Sequence, residues 1–221
     1  MKIIEQGHEI LQCHPEVGML IELAGRTCYK SEDKITPQSA RPFIKMLINR
    51  GHEAMIEFGD ITVKFITNRG VTHELVRHRL CSFAQESTRY VNYGGSDIEF
   101  IRPVWCDPKV LQTGIYRVPF SGDIVKGDKA TNAFLWSLIQ SENDYNVLLA
   151  NGWRPEQARE VLPNALKTEI VVKANVREWR HIFKLRCSPK AHPQMVALMR
   201  PLLAEMKRML PILFDDIYPG E

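Results

Sequence analysis

The chain has 221 residues, of which 44% are hydrophobic and 25% charged, with a formal net charge of +3. That length and balance suit one large domain with a real core and argue against disorder. A charge of +3 is too small to imply a nucleic-acid partner, and no apolar run nears the roughly 20 residues needed to cross a bilayer.

In chain order, Met1 to Leu11 carries Glu5, His8 and Glu9, so it has no signal-peptide apolar region. Thr36-Pro37 reads as an N-cap followed by proline in the first helical position. Ala40, Phe43, Ile44, Leu47 and Ile48 then recur at helical spacing up to Gly51. Ile61, Val63 and Phe65 alternate with Thr62 and Lys64, a strand pattern. A short helix is predicted from Val71 to about Arg79, and Ser82 to Tyr90 reads as a loop or irregular extended segment. Ile98 to Arg102 predicts a short strand, and Ser121 to Asp128 a surface loop. A long helix is predicted from Lys129 to Ala150, and a shorter one from Pro155 that stops before Pro163.

Leu166, Ile170, Val172, Ala174 and Val176 predict a second strand. Asn175 with Glu178 three residues later resembles a capping box, so a helix should start there. The final helix runs from Pro193 to Met209, with Val196, Met199, Leu202, Leu203, Met206 and Leu210 on one face. Without repeats or linkers, residues 1–221 read as a single α+β domain. Cys13, Cys28, Cys81, Cys106 and Cys187 are odd in number and scattered. They suit a reducing, cytoplasmic setting, and they form neither a disulfide framework nor a paired-cysteine metal site.

The basic residues cluster as Arg77, Arg79 and Arg89, and as Arg177, Arg180 and Arg186, which suits small anions. His73 and His78 invite a zinc-protease reading. They are five residues apart rather than four, so about 140° separates them on a helix and they cannot share a metal. On such a helix Arg77 and Arg79 would point about 200° apart and serve different neighbours. Arginine's fixed charge and forked donors match phosphate oxygens, and the Ser87 and Thr88 hydroxyls could complete a nucleotide pocket. One alternative is a single-stranded RNA-binding module over residues 77–93. There Arg77, Arg79 and Arg89 interleave with Phe83, Tyr90 and Tyr93.

Arg77-His78-Arg79, seven residues, then Ser87 resembles the signature of flavin-dependent thymidylate synthases in full. Gly51-His52-Glu53 with Glu57 resembles the family's N-terminal flavin-contacting segment. Ala158-Arg159-Glu160-Val161-Leu162-Pro163 resembles its nucleotide-binding helix. Asn175-Val176-Arg177 through His181 to Leu185-Arg186, then His192 and Gln194, resembles its C-terminal block. Ala84 and Gln85 stand where many members have Asn and Glu, Ala54 replaces a small hydroxyl residue, and His181 sits where some have Asn.

The resemblance implies a mostly antiparallel central sheet flanked by helices and a homotetramer with shared active sites. It implies reductive methylation of dUMP to dTMP, with 5,10-methylenetetrahydrofolate as carbon donor and NADPH reducing through FAD. No metal, nucleic acid or membrane is implied. Substrate contacts would come from Glu74, Leu75, Val76, Arg77, Gln85, Glu86, Ser87, Thr88, Arg89, Arg159 and Arg186. Flavin contacts would come from His52, Arg77, His78, Arg79, Gln85, Asn175, Val176, Arg177 and His181. The catalytic candidates are Arg186, as a stabiliser of charge on the pyrimidine, and Ser87. Ser87 has no evident activating base, so phosphate binding suits it better than covalent attack. A uracil-methylating enzyme without a cysteine nucleophile needs another source of activation, which reduced flavin would provide.

Overall fold

The computed structural model describes residues 1–117, 123–126 and 128–218. The strands are β1 (Lys2–Ile4), β2 (Gly7–Cys13), β3 (Asp60–Asn68), β4 (Ser82–Gln85), β5 (Glu99–Ile101), β6 (Gly114–Ile115) and β7 (Lys167–Asn175). The helices are α1 (Val17–Tyr29), α2 (Ala40–Asn49), α3 (Arg69–Leu75), α4 (Lys129–Ala150), α5 (Pro155–Ala158), α6 (Val176–Arg186), α7 (Pro193–Met209) and α8 (Pro211–Phe214). The expected α+β class, with a mostly antiparallel sheet and flanking helices, is the one observed. A four-stranded sheet runs β2-β3-β7-β4 and a three-stranded one β5-β1-β6.

The chain forms two compact units. The first comprises Met1–Gly7, Ile66–Leu75 and Gln85–Ile170; the second comprises His8–Phe65, Val76–Ala84 and Val171–Glu221. The chain passes from one unit to the other within β3 and within β7.

In the first unit, β1 pairs parallel to β5 and antiparallel to β6. Ile3 and Phe100 are buried there with Leu135, Leu138, Ile139 and Tyr145 of α4, which repeat at helical spacing. Asp128 starts that helix by accepting from Thr131 N–H at 3.0 Å. Of the loop expected over Ser121–Asp128, Ser121, Gly122 and Gly127 lie outside the described residues, and Ile124 to Lys126 form bends and a turn.

In the second unit, Ile61, Val63, Phe65, Val172 and Ala174 point their alternate side chains into a core shared with α6 and α7. Each fully buried large apolar side chain contributes about 1.5–3 kcal/mol. Trp179 stacks on Phe183, which meets Phe214 edge-on, and the Trp179 indole N–H donates to the Ile61 carbonyl at 3.0 Å. Gly59 lets α6 begin close by: its carbonyl accepts from Val176 N–H at 2.8 Å, and a Cβ there would run into Val17 and Val176.

The approximate spans predicted for α4 and α7 agree with those observed. Elsewhere the expected elements differ: Ser82–Gln85 forms β4 within the stretch read as loop or irregular, the helix opened by Pro155 gives way to a 3-10 turn at Arg159–Val161, and β5 is shorter than Ile98 to Arg102. The α2 helix begins at Ala40 rather than beside Pro37, because the Ser39 hydroxyl bonds back to Thr36 and holds residues 36–39 in a turn. The helix expected to reach Arg79 runs Arg69–Leu75. Asn68 caps it through Val71 N–H at 2.8 Å, and the chain leaves it at Val76, so Arg77 and Arg79 do not lie on helix faces.

Candidate functional site

Each unit carries a polar cluster built from residues singled out above. In the first unit, β4 ends at Gln85, whose amide donates to Thr72 Oγ1 at 3.0 Å and Thr168 Oγ1 at 3.2 Å. The next residue, Glu86, gathers three donors: the Tyr93 hydroxyl at 2.8 Å, Lys167 Nζ at 3.3 Å and Glu169 N–H at 3.2 Å. Burial and the Glu86 carboxylate raise the Tyr93 phenol well above its ordinary value. Burial pulls Lys167 down, but its bonds to Glu169 and Glu86 prevail and leave it above the usual lysine value. The phenol therefore stays neutral and the lysine charged at neutral pH.

Beyond this network the backbone turns at Ser87, whose Oγ accepts from Arg89 N–H at 3.3 Å. Thr88 is buried and accepts from Arg159 Nη1 at 3.2 Å. Arg159 follows α5, which Pro155 opens and which the bond from Arg154 N–H to the Gln157 side chain caps at its N-terminus. Arg89 is exposed, 3.9 Å from Glu156. Arg159 thus meets Thr88 through its guanidinium and Arg89 meets Ser87 through its backbone N–H, and the two side chains give the first unit forked cations to offer an anion. Glu74 is half-buried and Leu75 fully buried in α3.

In the second unit, His78 is buried, with 5% of its surface exposed. Its Nδ1 lies 3.2 Å from Glu178 Oε1, itself 6% exposed, and its Nε2 accepts from Arg186 Nε at 3.0 Å. Burial first, then the charges of Arg186 and His181, push His78 down to about 4, so the ring is neutral at pH 7. Burial also raises Glu178, partly offset by His181. Arg77, Arg79, Val76 and Leu80 around it are exposed.

Asn175 caps α6 by accepting from Glu178 N–H at 2.9 Å, but the Glu178 carboxylate goes to His78 instead of closing the expected box. Arg177 in the first turn is exposed and paired with Glu57 at 2.6 Å and Glu53 at 3.5 Å. His52 is exposed just before the turn that carries Glu53. A cleft of about 540 Å³ is lined by Asn175, Arg177, Glu178, Arg180, His181 and Lys184, together with Glu53, Glu57 and Leu80.

One atom each of His78, Glu178 and His181 lies within 4.8 Å of the others, a spacing a metal ion would accept. The Arg186 guanidinium on His78 opposes a cation there.

The second unit therefore unites Arg186 with the Arg77–Arg79 segment, 108 residues away from His78 in sequence. Glu178 was legible only as a cap, and Lys167 only as a polar strand residue. The acid at the third position of a helix was the one signal for the former. Tyr93, on which the RNA-binding alternative partly rests, is spent on Glu86 and packs edge-on against Tyr145. Burial raises the thiols of Cys13, Cys106, Cys81 (to about 12) and Cys187 (to about 11), the reverse of an activated nucleophile. Among the described residues, no helix is long and apolar enough to cross a membrane.

Comparison with known proteins adds three findings. Residues 9–212 match the family model described as thymidylate synthase complementing protein. A flavin-dependent thymidylate synthase of Geobacter sulfurreducens is 30% identical over 218 residues, covering 96% of this chain and 86% of that protein. One from Corynebacterium efficiens is 34% identical over 200 residues, covering 89% and 78%. In fold, the chain resembles a UMP/dUMP methylase, PolB, from Streptomyces cacaoi, solved with 5-Br dUMP. That likeness has a TM-score of 0.73 at 22% identity, over 97% of this chain and 96% of the other.

Proposed function

Because the chain belongs to the thymidylate synthase complementing protein family, we propose that it is a flavin-dependent thymidylate synthase acting as one functional domain. In this reading it converts dUMP to dTMP in the cytoplasm as a homotetramer with shared active sites. It takes the methylene of 5,10-methylenetetrahydrofolate and reducing equivalents from NADPH through FAD. The observation that carries the reading is the bond from Arg186 to His78, which joins two arginine-rich segments beside a polar cleft.

The donor set of the second unit fits a dinucleotide flavin. Arg177 stands in the first turn of an 11-residue helix, where fixed charge and helix dipole both favour a diphosphate. Arg180 lines the same cleft with a buried Nε that has no hydrogen-bond partner among the described residues. His52, Asn175, Val176, Arg177 and His181, with Arg77, His78 and Arg79, would hold the cofactor. When bound, FAD supplies hydride chemistry that no side chain has.

In the first unit Arg159 and Arg89, with Ser87 and Thr88, would hold the nucleotide phosphate. Gln85 and Glu86, fixed by their own partners, would shape the pocket, together with Glu74, Leu75 and Val76, which lead in sequence into Arg77. Arg186, fixed by His78, would stabilise negative charge on the pyrimidine, which makes C5 a better carbon nucleophile. The raised thiols support activation without a cysteine. Exposed Met19, Leu20 and Leu23 on α1 give a tetramer an apolar face to cover.

The test is to purify the chain, look for a flavin absorption band, and follow loss of tritium from C5 of dUMP with NADPH and the folate donor. Band and label loss together are expected. Absence of both, with FAD added, would refute the proposal.

A further inference from the structure

The bond pattern around His78 leaves one assignment of its protons. An arginine Nε has only a hydrogen to offer, so the His78 Nε2 it meets at 3.0 Å must present a lone pair. A neutral ring with a bare Nε2 carries its hydrogen on Nδ1, and Nδ1 faces the Glu178 carboxylate at 3.2 Å. All three groups lie on fixed elements. Glu178 is pinned by the Asn175 cap at its backbone N–H, Arg186 closes the same helix, and His78 sits in a turn closed by Cys81 N–H at 3.2 Å. His181 approaches edge-on, with ring centres 5.8 Å apart.

We propose that Glu178 is a positioning residue: it fixes His78 as the Nδ1-protonated tautomer, so that Nε2 accepts from Arg186 and sets the plane of that guanidinium. The role rests on the reading of Arg186 as the group that stabilises the pyrimidine. Glu178 also lines the cleft assigned to the flavin, but the role proposed here is exerted through His78 on Arg186. The capping box left open at α6 is the structural mark of that role, because a carboxylate that could satisfy its own helix N-terminus is spent on an imidazole instead.

Glu178→Gln keeps the shape but replaces an obligatory acceptor with an amide that can turn either N–H or C=O to Nδ1, so the ring hydrogen is no longer confined to Nδ1. With the hydrogen on Nε2, two donors face each other across the Arg186 contact. Such outer-shell changes typically cost 10–100-fold, so kcat should fall by roughly that factor. The KM for dUMP should stay within about threefold, and the flavin should be retained.

The second readout is independent of turnover: long-range ¹⁵N–¹H spectra of histidine-labelled protein, with the His78 signal identified by its loss in His78→Asn. At pH 7 the wild-type chain should show a neutral His78 protonated at Nδ1, and Glu178→Gln should shift it toward Nε2. A wild-type His78 protonated at Nε2 overturns the proposal, even if the variant does not fold. So does a folded Glu178→Gln chain with unchanged kcat. If the wild-type chain shows no activity on dUMP but has the Nδ1 tautomer, the functional reading fails while the Glu178–His78 link stands.

Discussion

The two polar clusters solve different electrostatic problems. In the first unit each charge is answered nearby: Glu86 takes three donors, Lys167 sits between two carboxylates, and Arg159 has Thr88. In the second unit a buried imidazole is kept neutral between an acid and a guanidinium, while Arg77 and Arg79 stand exposed. The first arrangement is a rigid cradle that tolerates the loss of one member. The second depends on the position of a single proton, so a small chemical change there should propagate further.

The largest contrast is expected for Arg186→Ala. Removing one preorganised charge-stabilising donor costs about 100–1,000-fold in kcat, while flavin retention should be little changed; equal turnover would remove Arg186 from the mechanism. Acid should expose the same region next. The folded His78 titrates at about 4, below its ordinary 6.5, so the unfolded chain binds more protons between those values. Its contribution to stability is therefore complete above pH 6.5 and is lost as pH falls toward 4. Denaturant unfolding at pH 7 and 4.5 should differ by about 2–3 kcal/mol from this group, and His78→Asn should flatten that dependence.

The cradle should respond more mildly. Arg159→Ala should raise the KM for dUMP about tenfold, the worth of one charge-assisted hydrogen bond, with a smaller change in kcat. Steady-state kinetics showing the opposite split would reverse the assignment of the two clusters. Smallest of all, Tyr93→Phe removes one donor from Glu86 and should cost about 1 kcal/mol of stability, because Lys167 and Glu169 N–H remain. Thermal melts would show it.

What was legible in the sequence follows the range of the forces involved. Helices α4 and α7 begin where local caps start them: Asp128, and His192 before Pro193. The three-residue β1 carries no period long enough to read, since it is held by partners near positions 100 and 115. α3 stops at Leu75, and three residues later His78 is held by Glu178 and Arg186, 100 and 108 residues away, a tertiary preference that no local pattern contains. The Arg-His-Arg motif announced its members, but the resemblance left out Glu178, because an acid at that helical position has an ordinary capping explanation.

The most direct test of the account is product formation by the purified chain, with deuterium in the transferred methylene of the folate donor. We expect dTMP carrying the label in its 5-methyl group, formed only when FAD, NADPH and the folate are all present. Labelled dTMP that forms without flavin, or no dTMP under complete conditions, would contradict the account.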